Sequence, residues 1–76
     1  MNNLPEVISP ERWIVQIFSA KKAAEGGILR RKVADVERLL GRQRFLHEVQ
    51  RRGFHAIENA DQFIIICNQD PLRVLC

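Results

Sequence analysis

Few side chains in this 76-residue sequence are of the types that bind metals or act as nucleophiles. The candidates are two histidines and two cysteines, His47, His55, Cys67 and Cys76. None of them stands at the close paired spacing of structural zinc sites, so we expect no metal site. Cys67 follows four consecutive apolar residues, which favours a buried thiol that acts as a small hydrophobic residue and not as a nucleophile.

The carboxylates offer no clear acid/base pair either. Glu58, Asp61 and Asp70 stand in or near turn sequences, where acidic residues commonly form the turn. The segment EGGILRR also lacks the lysine and hydroxyl residue that end a phosphate-binding loop. We therefore expect no catalytic residue, no metal and no cofactor, and a chain without catalysis of its own.

The most unusual charged stretch is the arginine-rich segment between residues 30 and 52. It carries eight basic and three acidic residues, whereas the rest of the chain carries four basic and six acidic ones. A basic surface attracts phosphates and releases their counterions, so the segment predicts non-specific nucleic-acid binding. The residues predicted to contact phosphates are Arg30, Arg31, Lys32, Arg38, Arg42, Arg51 and Arg52.

A second interpretation of the same segment is that its arginines form only the solvated side of short helices. Glu48 lies four residues after Arg44, and three and four residues before Arg51 and Arg52, a spacing that pairs these side chains on a helix surface. The two interpretations stay open from the sequence alone. A helix-turn-helix is disfavoured because Arg42 stands where the turn would normally continue with an apolar residue.

The predicted elements begin with an extended N-terminal arm at residues 1–10, which contains two prolines and two asparagines, followed by one domain at residues 11–76. The segment RWIVQIFSA at residues 12–20 is rich in aromatic and β-branched residues and predicts an interior strand. The two glycines of KKAAEGG predict a loop, and ILRR is either a short strand or the entry to a helix.

Two short helices are predicted next, at residues 33–40 and 42–52. On one continuous helix the apolar residues before and after Gly41 would fall on opposite sides, so a single helix could not bury both groups. Gly41 is therefore expected to end the first helix, and Gly53 the second.

The last third of the chain has the pattern of strands. FHAIE and QFIIIC flank the turn-forming NAD and predict a hairpin, and the unbroken FIII predicts a strand covered on both faces. LRVLC would be a closing strand. The expected fold is a small α+β domain with an antiparallel-dominated sheet, in the order strand, helix, helix, three-strand meander, with the two short helices packed on the sheet.

Size and composition also bear on partners and location. A chain of this length buries only about 60% of the surface exposed when it is unfolded, and small domains with thin cores often self-associate. We therefore expect a homodimer with two-fold symmetry. Two cysteines are too few for a disulfide framework, and no leader or long apolar run is present, so the sequence predicts a soluble cytoplasmic protein that does not contact membranes.

The run GGILRRKVADVERLLG, with FLHEVQRRGFH and QFIIICN after it, resembles a group of short uncharacterised bacterial proteins, some of which carry the label phosphoribosylanthranilate isomerase. That activity belongs to an eight-stranded barrel of roughly 200 residues or more, so the resemblance supplies no activity here. The predicted element order is also similar to that of small bacterial toxin ribonucleases, which bind RNA on a basic sheet face. The leading hypothesis is a self-associating binding or regulatory module without catalysis, and the alternatives are a non-specific nucleic-acid-binding protein and a toxin-like ribonuclease.

Overall fold

The computed structural model describes residues 9–76 and has an α+β fold, which confirms the predicted fold class. The elements are α1 (Pro10–Phe18), α2 (Lys21–Ala24), β1 (Ile28–Lys32), α3 (Val33–Leu39), α4 (Arg42–Arg51), β2 (His55–Asn59) and β3 (Gln62–Ile66). The predicted element order is wrong at both ends of the chain and in the segment predicted as a loop, which contains α2. The first predicted strand is a helix, and the predicted closing strand is absent from the described part of the chain.

The segment at residues 12–20, predicted as an interior strand, lies almost entirely in α1. Its apolar residues follow the helical repeat, because the inward-facing side chains recur on one side of the helix while Val15 and Gln16 are exposed. The buried residues of α1 are Trp13, Ile14 and Ile17. Bulky β-branched side chains favour strands only weakly, and the helical spacing of buried positions overrides that preference.

The start of α1 is fixed by a capping residue and a proline. The Ser9 hydroxyl accepts a hydrogen bond from the backbone N–H of Arg12 at 3.2 Å, and Pro10 occupies the first helical turn, where its missing N–H costs nothing. The predicted arm at residues 1–10 lies outside the described residues except for Ser9 and Pro10, which begin this helix.

The segment KKAAEGG, predicted as a loop, contains the four-residue helix α2 before its two glycines. The Gly27 N–H donates to the Lys22 carbonyl at 2.7 Å, and the Gly26 N–H donates to the Ala23 carbonyl at 3.0 Å. These two bonds are the pattern of a Schellman motif, which needs a left-handed residue at the position of Gly26, where φ is +76°. The motif reverses the chain and directs it into β1.

The two helices predicted around Gly41 are confirmed, as α3 and α4. Gly53 ends α4 with the same motif as α2. Its φ is +74°, its N–H donates to the Gln50 carbonyl at 2.9 Å, and the Phe54 N–H donates to the Val49 carbonyl at 3.0 Å.

The sheet has three antiparallel strands in the order β1-β3-β2. The predicted hairpin is confirmed as β2 and β3, and ILRR forms the strand β1. Ile64 of the central strand pairs with Arg30 on one side and with Ile57 on the other. Residues 71–76, predicted as a closing strand, have no regular secondary structure and are exposed. The third strand is therefore β1, which precedes the helices α3 and α4.

All four helices contribute to one core on a single face of the sheet. The inward side chains of β3, Phe63 and Ile65, are almost fully buried, and the Phe63 ring lies 4.8 Å from the Phe45 ring of α4. The buried residues of the core are Trp13, Ile17, Ala23, Leu29, Val36, Phe45, Val49, Phe63, Ile65 and Cys67. The domain consequently has two layers, one of helices and one of sheet.

The hairpin turn between β2 and β3 contains a strained residue that gives a simple stability prediction. Ala60 has a φ of +55°, a left-handed conformation that glycine adopts without the steric cost of a Cβ atom. We expect Ala60→Gly to raise the free energy of unfolding by about 0.5–1 kcal/mol, because relief of strain exceeds the entropy of the added glycine. Urea unfolding monitored by Trp13 fluorescence checks this, and a loss of stability in the variant would contradict it.

Candidate functional site

The basic residues predicted to contact nucleic acid do not form one surface. The outward face of β1 carries Arg30 and Lys32, as the alternation around the buried Leu29 requires. Arg31 lies on the opposite, helix-covered side of the strand. The remaining predicted residues are Arg38 on α3, Arg42 and Arg51 on α4, and Arg52, which caps the C-terminal end of α4.

Each of these four arginines has an acidic partner. On α3, Arg38 contacts Asp35 at 3.0 Å. On α4, Arg42 contacts Glu37 at 3.3 Å, forms a second ion pair with Glu58, and lies 5.2 Å from the centre of the Phe63 ring. The positive charge of this part of the predicted interface is therefore offset locally, as expected for a solvated helical surface.

Arg51 and Arg52 share one carboxylate at the end of α4. Glu48 Oε1 accepts from Arg51 at 2.8 Å and from Arg52 at 2.6 Å, and the Arg52 guanidinium lies 4.1 Å from the centre of the Phe18 ring. These contacts confirm two of the three pairs that the spacing of Glu48 predicts. The third is wrong, because Arg44 contacts Glu11 of α1 at 3.1 Å instead.

This cluster predicts a pH dependence of stability. The hydrogen bonds from Arg52 and then from Arg51 lower the pKa of Glu48 from 4.5 to about 2. Since the depressed pKa belongs to the folded protein, the stabilisation is fully present above the unfolded pKa and is lost as the pH falls from about 4.5 towards 2. After allowance for solvent screening we expect a loss of about 1–2 kcal/mol.

The measurement is the free energy of unfolding at pH 7 and at pH 3 for the wild type and for Glu48→Gln. The variant should lose stability at pH 7 and should vary less between the two pH values. Equal pH dependence in the two proteins would show that Glu48 does not contribute this stabilisation.

No described helix packs on the face of the sheet turned away from the helical layer, and the segment after β3 contacts this face at one corner, where the Asp70 carbonyl lies 2.7 Å from His55 Nε2. We call this face the open sheet face, and it consists of the nine outward side chains of the three strands. They are Ile28, Arg30, Lys32, His55, Ile57, Asn59, Gln62, Ile64 and Ile66. Ile28 is 53% exposed and Ile57 is 42% exposed, while Ile64 and Ile66 on the central strand are half-buried between them.

This face corrects the prediction that the strand containing FIII is covered on both sides. The strand is central, but only its inner side is packed against helices. The four isoleucines form adjacent rows across the sheet, since Ile28 is opposite Ile66 and Ile64 is opposite Ile57. A contiguous apolar surface rimmed by polar residues is typical of an interaction site.

The charge on the open sheet face is of one sign. Arg30 and Lys32 have no ion pair among the described residues, and none of the nine side chains is acidic. Glu58, the one acidic residue in the three strands, alternates to the inner side and is bound to Arg42. The face therefore combines four isoleucines with two cations along one edge.

A smaller groove lies between α4 and β2. Its volume is about 320 Å³, and Leu46, Val49, Phe54, Ala56 and Leu72 supply its apolar lining. Its rim is tied to the segment after β3, because the Asp70 carbonyl lies 2.7 Å from His55 Nε2. The Gln69 side-chain amide also donates to the Arg52 carbonyl at 3.0 Å.

The candidate nucleophiles and metal ligands are not brought together. Cys67 is buried, and burial raises the pKa of its thiol, while Cys76 is exposed. His47 lies exposed within α4. No group of three or more histidine, cysteine or acidic side chains within residues 9–76 is arranged to hold a metal ion.

Comparisons with known proteins give no relative. No protein-family model, no curated protein and no solved structure matches the chain. Within the described residues, no helix has the length and apolar character needed to span a membrane.

Sequence reasoning identified Arg30 and Lys32 but missed the isoleucines beside them. Four consecutive apolar residues in β3 show that both sides of that strand are apolar, but not which side is packed. The signal that was present lies in β1, where Ile28 and Leu29 are adjacent and are followed by three charged residues, because only one of two adjacent strand residues can face the core.

Proposed function

We propose that this protein is a small binding module without catalysis of its own, and that it self-associates through the open sheet face. The observation that supports the proposal is the group of four isoleucines in two adjacent rows of that face, on which no described helix packs. Apolar sheet faces pack against one another at about 10 Å, with their side chains interdigitated. A second copy of the chain supplies a surface of this kind.

The dimer should be weak, for two reasons. Three strands of five residues give a face of roughly 14 by 17 Å, which is an area of roughly 240 Å². This area is far below the roughly 800 Å² that each partner contributes to a standard interface. Each copy would also bury a face that carries Arg30 and Lys32, and neither face offers an acidic side chain to offset them. The long apolar stems of these residues can remain in contact while the charges reach solvent, but the repulsion persists.

The repulsion gives the self-association a characteristic salt dependence. Salt screens like charges, so the dimer should become stronger as salt rises. Sedimentation equilibrium at concentrations up to the millimolar range, at low and high salt, measures this. We expect Ile64→Gln to abolish the dimer and Val15→Gln, which changes an equally apolar exposed residue on α1, to preserve it. A monomer under all conditions, or a dimer unaffected by Ile64→Gln, would refute the proposal.

A second candidate function is polyanion binding by the open sheet face, which is favoured by the two unpaired cations Arg30 and Lys32. This candidate uses fewer basic residues than the sequence prediction, because the predicted arginines of α3 and α4 form ion pairs with acidic side chains. Binding to a single-stranded oligonucleotide should weaken steeply with salt, which is opposite in sign to the self-association. The face carries no phenylalanine, tyrosine or tryptophan on which bases could stack, and this favours the first candidate.

A further inference from the structure

We propose that the open sheet face binds an acidic amphipathic helix of another protein, which displaces the second copy of this chain. The inference rests on the proposed function only in taking the open sheet face as the binding surface. It adds the chemistry of the partner. That chemistry follows from the size of the face, from the position of its charges and from the side chains along its β1 edge.

The size of the face matches one helix. An α-helix is about 10–12 Å wide with its side chains, and three turns span about 16 Å. The open sheet face measures roughly 14 by 17 Å from strand spacing and rise. A helix of roughly 11 residues would therefore cover the four isoleucines and would complete a third layer on a sheet that now has helices on one side only.

The charges on the face favour an acidic partner. Arg30 and Lys32 lie along the β1 edge, beside the isoleucines and not among them, so a helix that packs on the isoleucines would direct one flank towards both cations. Glutamate or aspartate on that flank would pair with them, whereas a second copy of the chain offers only further positive charge. The acidic helix therefore relieves the repulsion that opposes the dimer.

The β1 edge of the sheet does not favour a strand as the partner. The Cys67 N–H donates to the Gly27 carbonyl, and the Val33 N–H donates to the Asp61 carbonyl. Every second residue of β1 between these two bonds, Leu29 and Arg31, therefore directs its backbone N–H and carbonyl towards β3. The free backbone groups of this edge accordingly belong to Ile28, Arg30 and Lys32. Charged side chains at such positions discourage strand addition, so the apolar face and not the edge is the available surface.

The test uses a hydrocarbon-stapled peptide of roughly 14 residues with leucines on one side of the helix and glutamates on the flanks, labelled with a fluorophore. Fluorescence polarisation measures its binding to the full chain at low salt. The comparison peptides have the same length, one with lysine in place of every glutamate and one with the leucines scattered around the helix. We expect the acidic amphipathic peptide to bind at least roughly tenfold more tightly than either.

The protein variants locate the contact. The double variant Arg30→Gln, Lys32→Gln should weaken binding of the acidic peptide roughly three- to tenfold, since each exposed pair contributes modestly. The matched control Lys21→Gln, Lys22→Gln removes the same charge from exposed positions on α2 and should change binding less than about twofold. Circular dichroism melting confirms that the variants are folded. Bound peptide should also convert any dimer to a one-to-one complex in sedimentation.

Several outcomes would overturn the inference. Equal binding of the acidic and lysine peptides would exclude charge recognition, and equal binding of the scattered peptide would exclude the isoleucine face. An equal loss in both double variants would place the contact elsewhere. If the peptide fails to bind while Ile64→Gln still abolishes the dimer, the proposed self-association stands and the helical partner does not. If instead an oligonucleotide binds the face and the peptide does not, the polyanion candidate replaces it.

Discussion

Replacing Ile65 by alanine should lower the free energy of unfolding by about 2–5 kcal/mol, whereas the same change at Ile64, the preceding residue, should cost about 1 kcal/mol or less. Ile65 is fully buried in the centre of the sheet and contacts the helical layer. Ile64 lies on the open sheet face, where alanine leaves no cavity. Urea unfolding of both variants at neutral pH, at a concentration where the protein is monomeric, gives the comparison.

The pair is well matched because both residues are isoleucines of the same central strand. A small domain has a total stability of roughly 0.05–0.15 kcal/mol per residue, so the change at Ile65 removes a large fraction of it. If Ile64→Ala costs as much as Ile65→Ala, the open sheet face is packed in the isolated protein and is not a free binding surface. A small cost means that Ile64 serves association and not folding.

The contrast between these two residues shows what could be predicted from the sequence. The hairpin of β2 and β3 followed from a turn sequence between two apolar runs, both of which are local features. Which face of β3 is covered depends on how many elements pack on each side of the sheet. That is a property of the whole chain, because it requires α1 to lie with the other helices, and α1 was predicted as a strand.

The candidate site was predictable only in part, for a similar reason. Sequence spacing located the pairs of Glu48 with Arg51 and Arg52, which are neighbours on one helix. Arg42 pairs with Glu58 and Arg44 pairs with Glu11, which lie 16 and 33 residues away in sequence. Sequence spacing could therefore not show that acidic side chains offset the charge of these arginines. Among the described residues of the segment, Arg30, Arg31 and Lys32 of β1 have no ion pair, and of these Arg30 and Lys32, on the open sheet face, support the proposed acidic partner.

The reassignment of residues 12–20 from strand to helix predicts a large effect at an exposed position. Val15→Pro should destabilise the protein by about 3 kcal/mol or more, because proline removes a helical N–H and its ring clashes with the carbonyl of residue 11. Val15 is 61% exposed, so loss of side-chain packing contributes little. Circular dichroism should show reduced helix content, and urea unfolding should show the reduced stability.

The change Val15→Ala separates helix from strand at the same site. In a helix, alanine is favoured over valine by a few tenths of a kcal/mol, so the variant should be as stable as the wild type or slightly more stable. In a strand, the same change would remove a favourable β-branched residue and would destabilise the protein. A clear loss of stability in Val15→Ala would therefore contradict the helical assignment of α1. It would also remove the basis for placing every helix on one face of the sheet, on which the open sheet face depends.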